Sequence, residues 1–172
     1  VSQRQKLDDE FAAFVAAQSH SLLRKAWLLT TSRHRAEDLV QSALAKTYAA
    51  WSRVRRADDP VAYTHAIVTK TFLSERRRRS SSELPVAEPI DTATADEAAD
   101  VTDRLLLMAA LRQLDRLDRA VVVLRYWDDR SVADTARQLD LTEAAVKNRS
   151  LRALRTLQSD PHLSDLATGS NP

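Results

Sequence analysis

Cysteine is absent from the 172-residue chain, and glycine occurs once, at Gly169. The first absence excludes disulfides, thiolate nucleophiles and cysteine-ligated zinc. The second excludes more. Dinucleotide-binding folds and P-loops need glycine where φ is positive or where backbone must approach a phosphate closely, and no stretch before residue 169 supplies it. Tight hairpins use asparagine in glycine's stead, but Asn148 and Asn171 are the only two. What remains is rich in alanine, leucine and arginine, all strong helix formers, so the expected fold is all-helical. No run of 18 apolar residues is present, which excludes a membrane-spanning helix. Val1 to Glu10 is too polar to read as a secretory signal, and the expected location is the cytoplasm, away from membrane.

Charge is nearly balanced overall, at +2 from 26 basic and 24 acidic residues, but it is segregated along the chain. Residues 33–79 hold 11 basic side chains against 5 acidic, residues 80–103 none against 7, and residues 104–160 hold 11 against 8. Two basic modules joined by an acidic tether suit a polyanionic partner, because a patch of one sign steers and retains nucleic acid. Ordinary solvated helix faces are the competing explanation.

Apolar spacing organises each module. Phe11, Phe14, Val15, Leu22, Leu23, Ala26 and Leu29 recur every three or four residues, giving a helix from Leu7 or Asp8 to about Thr30. A second helix runs from Arg35 to Val54 on the stripe Leu39, Ala43, Ala50, Val54. Asp58, Asp59 and Pro60 read as an acidic cap with proline in the first turn, starting a helix toward Arg79. Ser80 to Asp100, with three serines, two prolines and no base, cannot bury enough apolar area to offset its ordering and reads as a flexible linker. Beyond it, Leu105, Met108, Leu111 and Leu114 mark one helix, with Val121, Val122, Leu124, Tyr126 and Trp127 after them. Ser131 caps a helix with Asp134 at its third position, a box-like start. Asp140 and Leu141 make a short turn, and Thr142 caps a last helix lined by Val146, Ser150, Ala153, Leu154 and Leu157. Two short helices joined by so short a turn form a helix-turn-helix.

Candidate residues emerge from these placements. On the last helix Lys147, Asn148, Arg149, Arg152 and Arg155 fall away from the apolar stripe. Glu143, Ala144 and Lys147 near its start are placed to meet base edges, and Arg149 and Arg152 to meet phosphate. The run Arg76 to Arg79 exceeds what a helix C-terminus gains from cations, about 0.3–1 kcal/mol each, and reads as a phosphate contact. Trp51 and Tyr63 flank the connection 52–60, where an exposed ring stacks on an unpaired base or, alternatively, closes the small core. His34 and Asp38 are four apart, but two ligands without a third do not make a metal site. No cofactor, metal or catalytic residue is expected.

The stretch Arg35-Ala-Glu-Asp-Leu-Val-Gln through Trp51, the stretch Asp58-Asp59-Pro60 through Arg77, and the pair Ser131 to Leu139 and Val146 to Arg155 together resemble the group 4, extracytoplasmic-function sigma factors, of the short actinobacterial type. The resemblance covers residues 8–79 and 103–158, with 80–102 in place of the family's short linker and 159–172 as a flexible tail. It implies a subunit that directs bacterial RNA polymerase core to promoters and assists strand opening. It also implies roles: Glu37, Asp38, Val40 and Gln41 on core polymerase, with Leu39 inward; Trp51, Tyr63, His65, Lys70, Arg76 and Arg77 on the minus-10 element; Thr142, Glu143, Lys147, Asn148, Arg149 and Arg152 on the minus-35 duplex. An anti-sigma protein is a further family expectation. The chain departs from the pattern at His65, Ala66 and Lys70, where relatives carry two arginines and an asparagine. Asp140 stands where glycine is common, and Ala144-Ala145 where Gly-Thr is frequent. Two other readings stay open: a sigma-like regulator that binds polymerase or duplex without melting it, and a helical protein-interaction adaptor.

Overall fold

The structure, a computed structural model, describes residues 2–75, 95–161 and 163, with side chains from residue 101 onward in the second stretch. Every regular element among the described residues is helical, and the chain divides into two compact units, Val1–Ser80 and Ser81–Pro172. The expected all-helical fold in two small domains is the observed one. The predicted linker and the arginine run 76–79 lie largely or wholly outside the described residues.

The first unit is built on three helices, α1 (Gln3–Thr30), α2 (Arg33–Ala49) and α4 (Pro60–Ser74), each packed on the other two, with a single turn α3 (Trp51–Val54) between the last pair. Each start has a local cause. The side chains of Ser2, Ser32 and Asp59 accept from the backbone N–H groups of Gln5, Arg35 and Ala62, and Pro60 takes the first helical position, where its missing N–H costs nothing. With no glycine available, α1 ends on Thr31 in the left-handed region at φ 57°. Leu22, Ala26 and Leu29 meet Ala36, Leu39, Ala43, Val68 and Phe72 in the core, each all but fully buried. Lys25 is fully buried too, and its Nζ donates to the His65 carbonyl at 3.1 Å, tying α1 to α4.

The helix expected from Arg35 to Val54 instead breaks at Ala50, whose φ −102° and ψ 11° leave the helical basin. No proline or glycine announces this. The break seats Trp51 against Phe11 and Phe14, with ring centroids 5.2 and 5.0 Å away. The same corner is clasped by the first turns of α1: the Tyr48 hydroxyl donates to Asp8 at 2.6 Å, and Arg55 pairs with Glu10.

The second unit holds α5 (Ala95–Gln113), α6 (Arg116–Val122), a π-helical turn (Val123–Trp127), α7 (Val132–Leu139) and α8 (Glu143–Gln158). Arg119 is buried and ties α6 to the end of α5: its Nε donates at 2.9 Å to the Leu111 carbonyl, which also accepts from the Leu114 N–H, and its Nη2 donates at 3.0 Å to the Leu114 carbonyl just past the helix. Burial first, then Arg116 and Arg112 nearby, push its pKa down to about 10, so it stays cationic at neutral pH.

Tyr126 and Trp127, expected on the apolar stripe, are 54% and 45% exposed. The reason is the π turn. The Asp128 N–H reaches back five residues to the Val123 carbonyl, 2.9 Å away, so an extra residue enters the turn and rotates its last side chains off the core face.

Candidate nucleic-acid interface

Between α7 and α8 the backbone makes the turn the sequence suggests. Ser131 accepts from the Asp134 N–H at 3.0 Å, while the Asp134 carboxylate pairs with Arg137 rather than reaching back to close a full capping box. Helix α7 ends on Asp140 at φ 55° and ψ 47°, and the Leu141 N–H bonds to the Ala136 carbonyl at 2.9 Å, a left-handed helix end of the kind that favours glycine. Thr142 then accepts from the Ala145 N–H at 3.1 Å and starts α8. Val146, Ser150 and Ala153 face inward, against α6 and α7. Glu143, Ala144, Lys147, Asn148 and Arg155 stand exposed. This is the geometry of a helix held by one face and offering the other to a groove.

Arg149 and Arg152 depart from the expectation. Both turn back onto α6, where Asp118, only 4% exposed, takes them together. Arg149 Nη1 donates to its Oδ1 at 2.7 Å; Arg152 donates through Nε to Oδ2 at 2.8 Å and through Nη2 to Oδ1 at 2.7 Å. Asp115 stands behind, its Oδ2 3.8 Å from Arg149 and 3.6 Å from Arg152. Burial by itself raises the Asp118 pKa, but the hydrogen bonds and charges of Arg152 and Arg149 outweigh it and hold the carboxyl below its ordinary range. Sequence reading missed Asp118, although a signal exists: acids three apart, at the cap and in the first turn of α6, match arginines three apart on α8.

In the first unit an open groove of about 520 Å³ runs between the end of α2 and α4. Tyr63, Lys70, Lys46, Arg53 and Thr71 line it, and a smaller cleft beside it adds Arg56. The Arg53 guanidinium stands 5.9 Å from the Tyr63 ring centre, and Lys46 Nζ donates to Thr71 Oγ1 at 3.1 Å. The structure therefore brings Tyr63 and Lys70 together and adds Lys46, Arg53 and Arg56, which sequence reading passed over. The seven-residue spacing of Lys46 and Arg53 was the available signal.

Two expected members of this site are elsewhere. Trp51 is 6% exposed in the aromatic cluster with Phe11 and Phe14, so its ring is not offered to a base. His65 points toward α1, with Nε2 3.2 Å from Ser21 Oγ. Arg76 and Arg77 lie outside the described residues. On α2, Glu37 and Gln41 are exposed and Asp38 half-buried, whereas Val40 is buried with Leu39 and is not presented to a partner. His34 Nε2 stands 3.7 Å from Asp38 Oδ2, one helical turn on, and no third ligand joins them among the described residues.

A helical protein whose second unit carries a capped helix-turn-helix with an exposed basic recognition helix belongs to the class of DNA-binding proteins. Residues 14–82 match the family model Sigma-70 region 2, and residues 104–157 match Sigma-70, region 4. The chain is 35% identical to the RNA polymerase sigma-E factor of Streptomyces coelicolor, over 91% of this chain and 89% of that protein. It is 31% identical to the ECF RNA polymerase sigma factor SigL of Mycobacterium tuberculosis, over 80% of each. The sigma factor RpoE of Bartonella quintana, solved with the anti-sigma factor NepR, shares the fold at a TM-score of 0.66 and 22% identity, covering 94% of this chain and 99% of that one. The chain belongs to the extracytoplasmic-function group of the sigma-70 family and is an RNA polymerase sigma factor, a promoter-recognition and transcription-initiation subunit. No helix among the described residues is long and apolar enough to cross a membrane.

Proposed function

We propose a division of labour between the two units. The exposed edge of α2, at Glu37, Asp38 and Gln41, docks on core polymerase. The groove of Tyr63, Lys46, Arg53 and Lys70, continued in sequence by Arg76 and Arg77, takes the minus-10 strand as it opens. Helix α8 reads the minus-35 duplex through Glu143, Lys147 and Asn148, with Thr142 fixing the start of the helix. The observation that carries this reading is the groove itself, in which an aromatic ring is flanked by cations. Unpaired bases stack on aromatic faces while cations track their phosphates, and that capture offsets the cost of unpairing.

The chain acts in the cytoplasm, performs no catalysis and needs no cofactor, RNA synthesis belonging to its partner. An anti-sigma protein is a candidate regulator, since the solved relative RpoE is bound to NepR. Mixed with active core polymerase, the purified chain is expected to give RNA starting at defined promoter positions; an absence of specific starts would overturn the reading.

One observation favours a variant of it. His65 is turned away from the groove and Ala66 lines it, so neither position supplies a cation there. A factor that binds promoter duplex without opening it would protect the duplex yet leave its thymines unreactive to permanganate.

A further inference from the structure

The four cations of α8 are not equivalent. Lys147 and Arg155 stand on its exposed face, while Arg149 and Arg152 close over a carboxylate pair on α6. We propose that Asp118, seconded by Asp115, is a specificity-determining residue: by engaging Arg149 and Arg152 it withholds two cations from DNA phosphate and suppresses sequence-independent binding. The inference rests on the reading of α8 as the minus-35 helix.

The geometry distinguishes this from a simple strut. Arg152 keeps 59% of its side-chain surface exposed and Arg149 28%, so both lie at the surface with the carboxylate beneath them. The docking of α8 is already provided by Val146 and Ala153, both fully buried. Both Asp118 oxygens are occupied by guanidinium N–H groups. A phosphate that displaces Asp118 from either arginine leaves a nearly buried carboxylate short of a partner, which is strongly disfavoured, and one that takes only the remaining N–H groups meets guanidinium charge that Asp118 and Asp115 already offset. Non-specific affinity scales with the number of phosphates a protein neutralises, and each contact steepens the salt dependence by about 0.9 in the logarithmic slope. Two engaged arginines therefore reduce attraction to any duplex alike. Contacts that read bases, from Glu143, Lys147 and Asn148, then make up a larger share of the total.

Full-length wild-type and Asp118→Asn chains would be titrated by fluorescence anisotropy against two probes, across salt concentrations. One probe is a duplex selected by the wild type from a random library; the other is a scrambled duplex of equal length. The variant is expected to bind scrambled duplex at least about tenfold more tightly at low salt, with a slope steeper by nearly two. Its discrimination between the probes should fall. Adding Arg149→Gln and Arg152→Gln to Asp118→Asn should return the slope to its wild-type value, whereas the same pair in the wild-type background should change it by less than one. Asp115→Asn, which retains a capping side chain at the start of α6, should shift the slope by an intermediate amount even if Asp118→Asn fails to fold. An unchanged slope in both aspartate variants, or a fall of about two when the arginines are replaced in the wild type, would overturn the inference alone. Wild-type chain with no salt-dependent duplex affinity would overturn the α8 reading and this inference with it.

Discussion

At the Asp118 carboxyl two effects oppose each other, and their balance sets a pH dependence. Burial favours the protonated acid, Arg152 and Arg149 favour the anion, and the net result is a lowered pKa. An acid with a lower pKa in the fold than in the unfolded chain binds fewer protons when folded. Its contribution to stability is complete above the ordinary aspartate range and is lost as pH falls below about 4 toward the folded value. The melting temperature of the second unit, followed by circular dichroism, is expected to drop between pH 6 and pH 3, and to drop less in Asp118→Asn. Equal losses in the two proteins would show that the pair is not coupled to folding. Much at this scale was legible, since a cation at Lys147 and an acid in the first turn of α8 are fixed by spacing alone. Partners were not. Whether Arg149 meets phosphate or Asp118 depends on how α6 docks against α8, and whether Trp51 stacks or packs depends on Phe11 and Phe14 arriving from another helix.

Among the elements, the local chemistry of helix ends was the most readable feature. Asp59 with Pro60, Ser131 and Thr142 cap the helices the sequence assigns to them, because a side-chain oxygen two or three residues before an orphan N–H acts without tertiary help. The break at Ala50 and the π turn at Val123–Trp127 were hidden, since neither carries proline or glycine and both arise from packing. Asp140 is the informative case between these extremes. Its φ of 55° lies in the left-handed region that favours glycine, and aspartate holds that conformation at a cost of about 1 kcal/mol. Asp140→Gly is therefore expected to stabilise the second unit by up to that amount, raising its melting temperature by a few degrees. A lower melting temperature would mean that the Asp140 side chain contributes more than its backbone strain removes.

Over the whole molecule, charge is partitioned so that each unit carries its own basic surface, and the acidic stretch 80–103 contributes none. If the surfaces act on different parts of a promoter, damage to each should be separable. Lys46 and Lys70 border the groove of the first unit and are solvent-exposed, so their replacement by alanine should change folding stability by only about 0.5 kcal/mol. On a promoter bound by holoenzyme, the double variant is expected to retain its upstream contact while permanganate reactivity of the minus-10 thymines falls several-fold. The salt dependence of open-complex formation should weaken by about one in slope for each cation removed. Lys147→Ala acts at the other end. Loss of a base-edge contact costs about 1–3 kcal/mol, so upstream duplex affinity should drop roughly tenfold or more, with discrimination relaxed at one base position. Raising the holoenzyme concentration should then restore opening, because the melting surface is intact. The same increase should not rescue the Lys46→Ala, Lys70→Ala protein, whose defect comes after binding. If concentration restores opening equally in both, the groove contributes only affinity, and strand capture must be sought at residues other than those that line it.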